Sequence, residues 1–376
     1  MNINQKLIIE AQAPTRIDLA GGTIDIWPLY LFLNRPTTIN LGINLFAEAR
    51  LEIVPNSPQP CVCLRSEDQN TELNLDWNEL NELRQVPPQL ELHLKLVRFF
   101  NQKRNQAGWG SPASRLSLST RAKSPAGAGL GGSSTLSIAM IGALASWANS
   151  QDSTIPIDPQ HSGEAFIEIV RDVETTVIQV PAGLQDYYGA MFGGLQSLKW
   201  GPGTHQRAEL PSELISELQK RTLLFYSGQS RNSGINNWAL FKGFIDRQGE
   251  IRSSFQAISD AAVVLEKALR ASDWNGVGEA IDQEWQIRKT LAAGITTSAI
   301  DQAFEDAKKI APVSGKVCGA GGGGCFFVYL PEIDSSDAGN RLKAQIQDIF
   351  TSHGMRHLPF EGVPHGLRVQ VRHERI

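Results

Sequence analysis

The chain has 376 residues, 41 % hydrophobic and 20 % charged, with a formal net charge of −4; that is more chain than one hydrophobic core usually organises, so two domains are expected. No dense Lys/Arg run is present, which argues against a nucleic-acid partner or an anionic membrane surface. Residues 1–13 lack a basic stretch followed by an apolar core, and the longest helical apolar segment, 136–148, is short of the roughly 18–20 residues that cross a bilayer, so a cytoplasmic protein without a membrane anchor is expected.

In chain order, turn-bounded runs at 7–12, 14–20, 37–44, 46–54, 62–65 and 115–119 predict strands. Residues 90–102 read as an amphipathic helix. A glycine-rich loop at 124–132 opens directly into a helix over 133–149, and a second helix over 163–178 ends before Pro181. After a loop, 194–200 predicts a strand. Gly201-Pro202-Gly203 marks a boundary, dividing the chain into domains 1–200 and 201–376. Beyond it come a strand at 222–227, helices within 236–311, a second glycine-rich turn at 319–324, a strand at 325–330, a helix over 337–350 and a strand at 367–373. Strands and helices that mix without regular alternation indicate an α+β fold. Cys61, Cys63, Cys318 and Cys325 lack zinc-finger spacing and read as free thiols.

The loop at 124–132 is the most informative stretch. Gly127, Gly129, Gly131 and Gly132 let the backbone take positive φ and turn its N–H groups towards one point. Ser133 and Ser134 then start a helix whose unsatisfied N–H groups and positive dipole end favour an anion, usually phosphate. A hydroxyl there can also ligate Mg²⁺. The loop is not a Walker A motif, which ends in Gly-Lys-Ser/Thr. A flexible glycine linker capped by serine is the competing reading.

Strand alternation over 14–20 puts Ile17 and Leu19 on one face and Arg16 and Asp18 on the other. A half-exposed strand with a wet polar face fits equally well. In the helix after Gly163, Glu174 falls at the edge of the stripe Phe166, Ile169, Val170, Val173, Val177, so it needs a partner, either a basic side chain or a metal. Asp186, in a loop, is by itself an Asx-turn or helix-cap residue.

Pro125, Gly129, Leu130, Gly131, Gly132 and Ser133 form the pattern Pro, three residues, Gly-Leu-x-x-Ser, which resembles the central motif of the GHMP kinases. Residues 13–25, with Arg16, Asp18, Gly21, Gly22 and Asp25, resemble that family's first motif, and Lys316 to Cys325 resemble its third, in the right order. Within the family the sequence is most similar to the D-glycero-D-manno-heptose 7-phosphate kinases. It shares Arg-Ile-x-x-Ala-Gly-Gly near the start, Glu284-Trp285 followed by Gly294-Ile295, and Pro359-Phe360-Glu361 with Gly366-x-Arg368-Val369. Gly22-Thr23 stands where galactokinases have Glu-His, and Gly132 replaces the first of the family's usual serine pair.

The resemblance implies an N-terminal ribosomal-protein-S5-like domain and a C-terminal ferredoxin-like domain with nucleotide in the cleft between them. It implies an ATP-dependent kinase acting on a sugar or sugar phosphate, with Mg²⁺ on Ser133 and Glu174. Asp186 is implied as the base and Arg16 as an active-site cation. Pro125, Gly127, Gly129, Leu130, Gly131, Gly132, Ser133 and Ser134 would hold ATP. Asp25, Gly21, Gly22, Gly319, Gly321, Gly322 and Arg231 would face the acceptor. A fucose-type kinase, a mevalonate kinase and a non-catalytic ligand sensor on the same fold are the alternatives, and a monomer or homodimer is expected.

Overall fold

Long β-branched and leucine-rich runs at the start of the chain build two strands that carry most of the molecule: β1 (Gln5–Ala20) and β2 (Thr37–Val54), antiparallel to each other. In the computed structural model, which describes residues 5–106, 114–151, 159–229, 233–319, 321–334 and 336–375, these absorb four of the expected strand segments into two. The breaks seen in the sequence survive as register shifts between Ala13 and Thr15 and between Asp18 and Ala20.

There follow β3 (Val62–Ser66), β4 (Thr71–Leu75), α1 (Glu91–Gln106), β5 (Arg115–Ala122), α2 (Gly132–Gln151), α3 (Pro159–Ile178), α4 (Gln185–Phe192), β6 (Leu195–Lys199) and β7 (Gln206–Glu209). The rest of the chain gives α5 (Glu213–Arg221), β8 (Thr222–Tyr226), α6 (Ser233–Ile245), α7 (Ile251–Arg270), α8 (Trp274–Thr290), α9 (Ser298–Lys308), β9 (Ser314–Val317), β10 (Cys325–Tyr329), α10 (Asp337–Ser352), β11 (Arg356–His357) and β12 (Arg368–Arg375). One sheet has the order β12-β1-β2-β5-β3-β4, with β6 joined to the other end of β2 and β7 to β6. The second sheet runs β11-β8-β10-β9. Strands β7 and β12 lie beyond residue 201 yet belong to the first sheet, so that sheet draws on both sides of the expected division.

Two apolar cores explain why β1 can carry charge in its interior. Leu7, Ile9 and Ala11 pack with residues of α1 and α2. Ile17 and Leu19, the face expected to be apolar, pack instead with Leu265 of α7, Ile281 of α8 and Phe327 of β10. From Ala13 to Ala20 every residue of β1 is buried, so the half-exposed strand with a wet polar face is not what forms. Arg16 and Asp18 are sealed inside, which obliges each to find a partner. A second correction concerns residues 185–192: the expected loop is helix α4, and Asp186 sits in its first turn.

Candidate active site

Three of the loop's four glycines take the conformation expected of them, whereas Gly132 is already the first residue of α2. Gly127, Gly129 and Gly131 have φ of 65°, 78° and 74°, the left-handed region that side chains disfavour. Gly131 is further constrained, because a Cβ there would lie 2.9 Å from Asp186 Cγ. The Gly131 carbonyl accepts from the Thr135 N–H and hydroxyl, both at 2.8 Å, which fixes the first turn of α2. The Leu130 side chain is buried in the core with Ala128, so any contact it makes with a nucleotide is through its backbone.

Arg16 binds this loop to α4. Its Nε donates to Asp186 Oδ1 at 2.8 Å, its Nη2 donates to the same oxygen, and its Nη1 donates to the Gly129 carbonyl at 2.8 Å. Burial alone would lower the guanidinium, but Asp186 and Asp18 hold it above its ordinary value. Arg16 is therefore a fixed cation. Asp186 has a quarter of its side chain exposed, and with both Arg16 donors on Oδ1 its Oδ2 is turned towards Gly131.

Glu174, on α3, is 4 % exposed and accepts from the Tyr187 hydroxyl at 2.7 Å. Burial pushes its carboxyl up, and hydrogen bonds from Ser133, Tyr187 and Ser134 offset only part of that. Among the described residues no Lys or Arg pairs with it. A buried carboxylate grouped with hydroxyls at a helix start, with no cation of its own, is a donor set that suits Mg²⁺, an ion that takes one or two carboxylates and otherwise phosphates and water. No cluster of three or more His, Cys, Asp or Glu among the described residues offers an all-protein metal cage. Tyr187 was not singled out from the sequence, although it directly follows Asp186.

Asp25 completes the set. Its Oδ2 accepts from the Gln185 N–H at 2.8 Å, and a Cβ at Gly183 would lie 2.3 Å from that oxygen. Burial, with Asp186 and Asp18 nearby, raises its carboxyl to about 6 despite the Gln185 hydrogen bond.

These groups share a cleft of about 780 Å³. Arg16, Asp25, Pro125, Gly127, Gly129, Gly131, Gly132, Ser133, Ser134, Glu174, Asp186 and Gly319 line it. Gly21, Gly22, Gly321 and Gly322 are not among the residues that line it, and the first three of them permit close approach by a neighbour. A Cβ at Gly21 would meet the Thr37 carbonyl at 2.1 Å, and one at Gly321 would meet Ile295 at 2.6 Å. The Gly322 N–H donates to the Ile295 carbonyl at 2.7 Å, and the Cys325 N–H to Ala128 at 2.6 Å, tying the second glycine turn to the first. Arg231 lies outside the described residues. His93 also lines the cleft, with its Nε2 2.6 Å from Thr120 Oγ1; no sequence pattern marks it.

The sequence matches the GHMP kinases N terminal domain over residues 91–194 and the GHMP kinases C terminal domain over residues 265–350. It is 26 % identical over 366 residues to the D-glycero-alpha-D-manno-heptose 7-phosphate kinase of Campylobacter jejuni, covering 93 % of this chain and 98 % of that protein. It is 24 % identical over 340 residues to the bifunctional fucokinase/GDP-fucose pyrophosphorylase of Arabidopsis thaliana, covering 87 % of this chain and 30 % of that longer protein. The crystal structure of a D-glycero-D-manno-heptose 1-phosphate kinase from Bacteroides thetaiotaomicron shares the fold, with a TM-score of 0.70 at 18 % identity over 96 % of this chain and 98 % of that one. No helix among the described residues is long and apolar enough to cross a membrane.

Proposed function

The chain belongs to the GHMP kinases, a family of ATP-dependent phosphotransferases, and from that premise we propose that it phosphorylates D-glycero-D-manno-heptose 7-phosphate at the anomeric C1 hydroxyl. The observation that carries the kinase mechanism is the Arg16–Asp186 pair held against the glycine loop where α2 begins. The choice of acceptor is supported by the likeness to the Campylobacter jejuni enzyme along almost the whole chain.

In this reading the loop N–H groups and the start of α2 hold the phosphates of ATP. Ser133 and Glu174 would hold Mg²⁺, which would neutralise phosphate charge when bound. Asp186 Oδ2 accepts the proton of the C1 hydroxyl as its oxygen bonds to the γ-phosphorus and ADP departs. Arg16 holds the Asp186 carboxylate in place through Oδ1 and stabilises charge on the transferring group. Asp25 accepts a hydrogen bond from another acceptor hydroxyl. Because such transition states are loose, positioning and electrostatics supply most of the acceleration.

A coupled ADP-release assay with Mg-ATP tests this against heptose 7-phosphate, free heptose, mannose, fucose, galactose and mevalonate, with products identified by mass and NMR. The expected result is selective turnover of heptose 7-phosphate to a 1,7-bisphosphate. Preferential turnover of fucose or mevalonate would retain the mechanism and discard this acceptor. Nucleotide binding with no phosphorylated product from any of them would overturn the catalytic reading in favour of a ligand sensor.

A further inference from the structure

We propose that Arg288 is a positioning residue for the acceptor: a closed chain of buried charges, Asp18–Lys316–Glu284–Arg288, grips the Gly22–Thr23 backbone and so aims Asp25 into the cleft. This rests on the reading of Asp25 as an acceptor contact.

The chain can be followed atom by atom. Lys316 Nζ lies 3.1 Å from Asp18 Oδ2 and 2.9 Å from Glu284 Oε1. Glu284 Oε1 also accepts from Arg288 Nη2 at 2.6 Å and Nε at 3.0 Å. Arg288 then reaches out of the ionic set, donating from Nη2 to the Gly22 carbonyl at 2.9 Å and from Nη1 to Thr23 Oγ1 at 3.3 Å. All four ionic side chains are at most 1 % exposed, and their charges sum to zero. Burial would raise Glu284, yet Arg288 and Lys316 hold it well below the usual carboxylate range. Such a set is a poor way to gain stability, since apolar side chains of equal volume often serve as well. What apolar side chains cannot supply is a directed pair of donors at the far end.

That far end meets the one residue of the loop that needs holding. Thr23 has φ of 73°, a left-handed conformation that is a genuine outlier for a β-branched residue and is costly to maintain. The loop is also pressed onto the start of the chain, because a Cβ at Gly22 would lie 2.1 Å from Asp18 Oδ2. Asp25 follows two residues later. Its carboxylate is therefore fixed from two sides, by the Gln185 N–H of α4 and, through Thr23, by Arg288 of α8. Arg288 does not line the cleft, so its influence on the acceptor passes through the loop.

Three measurements test this. In Arg288→Met the KM for the acceptor should rise at least tenfold while the KM for Mg-ATP stays within twofold, and Arg288→Lys, which keeps the charge on a single nitrogen but not the two-armed fork, should recover part of the loss. A matching rise in both KM values would reduce Arg288 to a general stabiliser and overturn the proposal. Because removing a buried arginine can unfold the chain, Thr23 supplies an independent arm. Thr23→Val keeps the strained shape and deletes the hydroxyl that Arg288 holds, whereas Thr23→Gly removes the need for holding. Valine should therefore raise the acceptor KM more than glycine, although glycine deletes more atoms; equal losses would refute the clamp. Finally, amide exchange at residues 21–26, measured with no acceptor, should accelerate at least tenfold in Arg288→Met while residues 127–132 keep wild-type rates. Unchanged exchange at 21–26 would sink the proposal whichever acceptor the enzyme uses, so its failure is distinct from failure of the heptose assignment.

Discussion

Arg16 and Asp18 sit two residues apart on the same face of β1, and each enters a buried ion pair, yet the two pairs do opposite things. Arg16 pairs with Asp186, whose side chain is 25 % exposed at the cleft. Asp18 pairs with Lys316, and both side chains are 0 % exposed. The first pair holds a carboxylate at the edge of solvent with one oxygen left for chemistry. The second is closed on all sides and extends through Glu284 and Arg288 to a loop backbone. In the proposed mechanism the two charges divide into reaction and geometry, and what separates them structurally is that Asp186 is exposed to the cleft whereas Asp18 is sealed.

The largest expected effect breaks the two pairs apart. Asp186→Asn should lower kcat by about 10²- to 10⁴-fold, the usual worth of a positioned acid or base. Its melting temperature should fall, though less than that of Lys316→Met, because the asparagine carbonyl still accepts from Arg16 and Asp186 is partly exposed at the cleft. A loss below about tenfold, roughly 1.4 kcal/mol, would count against Asp186 as the base. Lys316→Met should show the inverse pattern. Removing one member of a sealed set leaves uncompensated charge, at a cost of about 3–5 kcal/mol in urea denaturation. If that variant unfolds at the wild-type urea concentration, no uncompensated buried charge was left behind, and the contrast fails.

Asp25 lies between the two sets and is repelled by a carboxylate from each, so its pH response sharpens the comparison. Its carboxyl stands at about 6 in the fold against an ordinary 3.8. The folded state therefore binds more protons than the unfolded chain between those values, and stability falls as pH rises through that window. Above about pH 6 the full cost applies, about 3 kcal/mol at two pH units of displacement. Asp25→Asn should accordingly gain stability over wild type at pH 7 and little at pH 4, read from paired denaturation curves. The same variant should bind the acceptor poorly at every pH, whereas the wild-type acceptor KM should fall as pH rises through about 6. A pH-independent difference in stability between the two proteins would remove Asp25 from the role assigned to it.

Much of this was legible because local chemistry and global fold agree. The positive φ of Gly127, Gly129 and Gly131 follows from residues chosen for that conformation, and α2 begins within one residue of the expected position. Asp186 was legible as a residue but not as a helical one. Pro181, Gly183 and Gly189 suggest a loop, and only tertiary packing of Tyr187, Tyr188 and Met191 into the core makes α4 worthwhile. The membership of β7 and β12 in the first sheet was not legible, because strand pairing across the chain is set by register and packing rather than by spacing. Lys316 and Glu284 fall within the resembling motifs, which by themselves give neither a role. A lysine in an apolar strand and an acid four residues before an arginine are each ordinary surface patterns, and only their meeting inside the molecule gives them meaning.

Glu174 is the third kind of buried charge, and it carries the smallest expected effect. Arg16 and Asp18 both answer burial with an opposite charge, whereas Glu174 is met by the hydroxyls of Ser133, Ser134 and Tyr187. A buried carboxylate left in that condition gains from a divalent cation what the other two gain from a side chain. Glu174→Gln keeps the shape and the Tyr187 hydrogen bond but removes the charge. Nucleotide binding measured by titration with and without Mg²⁺ should lose roughly tenfold of its Mg²⁺-dependent increment, about 1.4 kcal/mol, while binding of the free nucleotide is unchanged or slightly stronger. The variant should also be at least as stable as wild type without metal, since the desolvated charge is gone. An unaltered Mg²⁺ increment would place the metal elsewhere and leave Glu174 as a structural acid, held by hydroxyls alone.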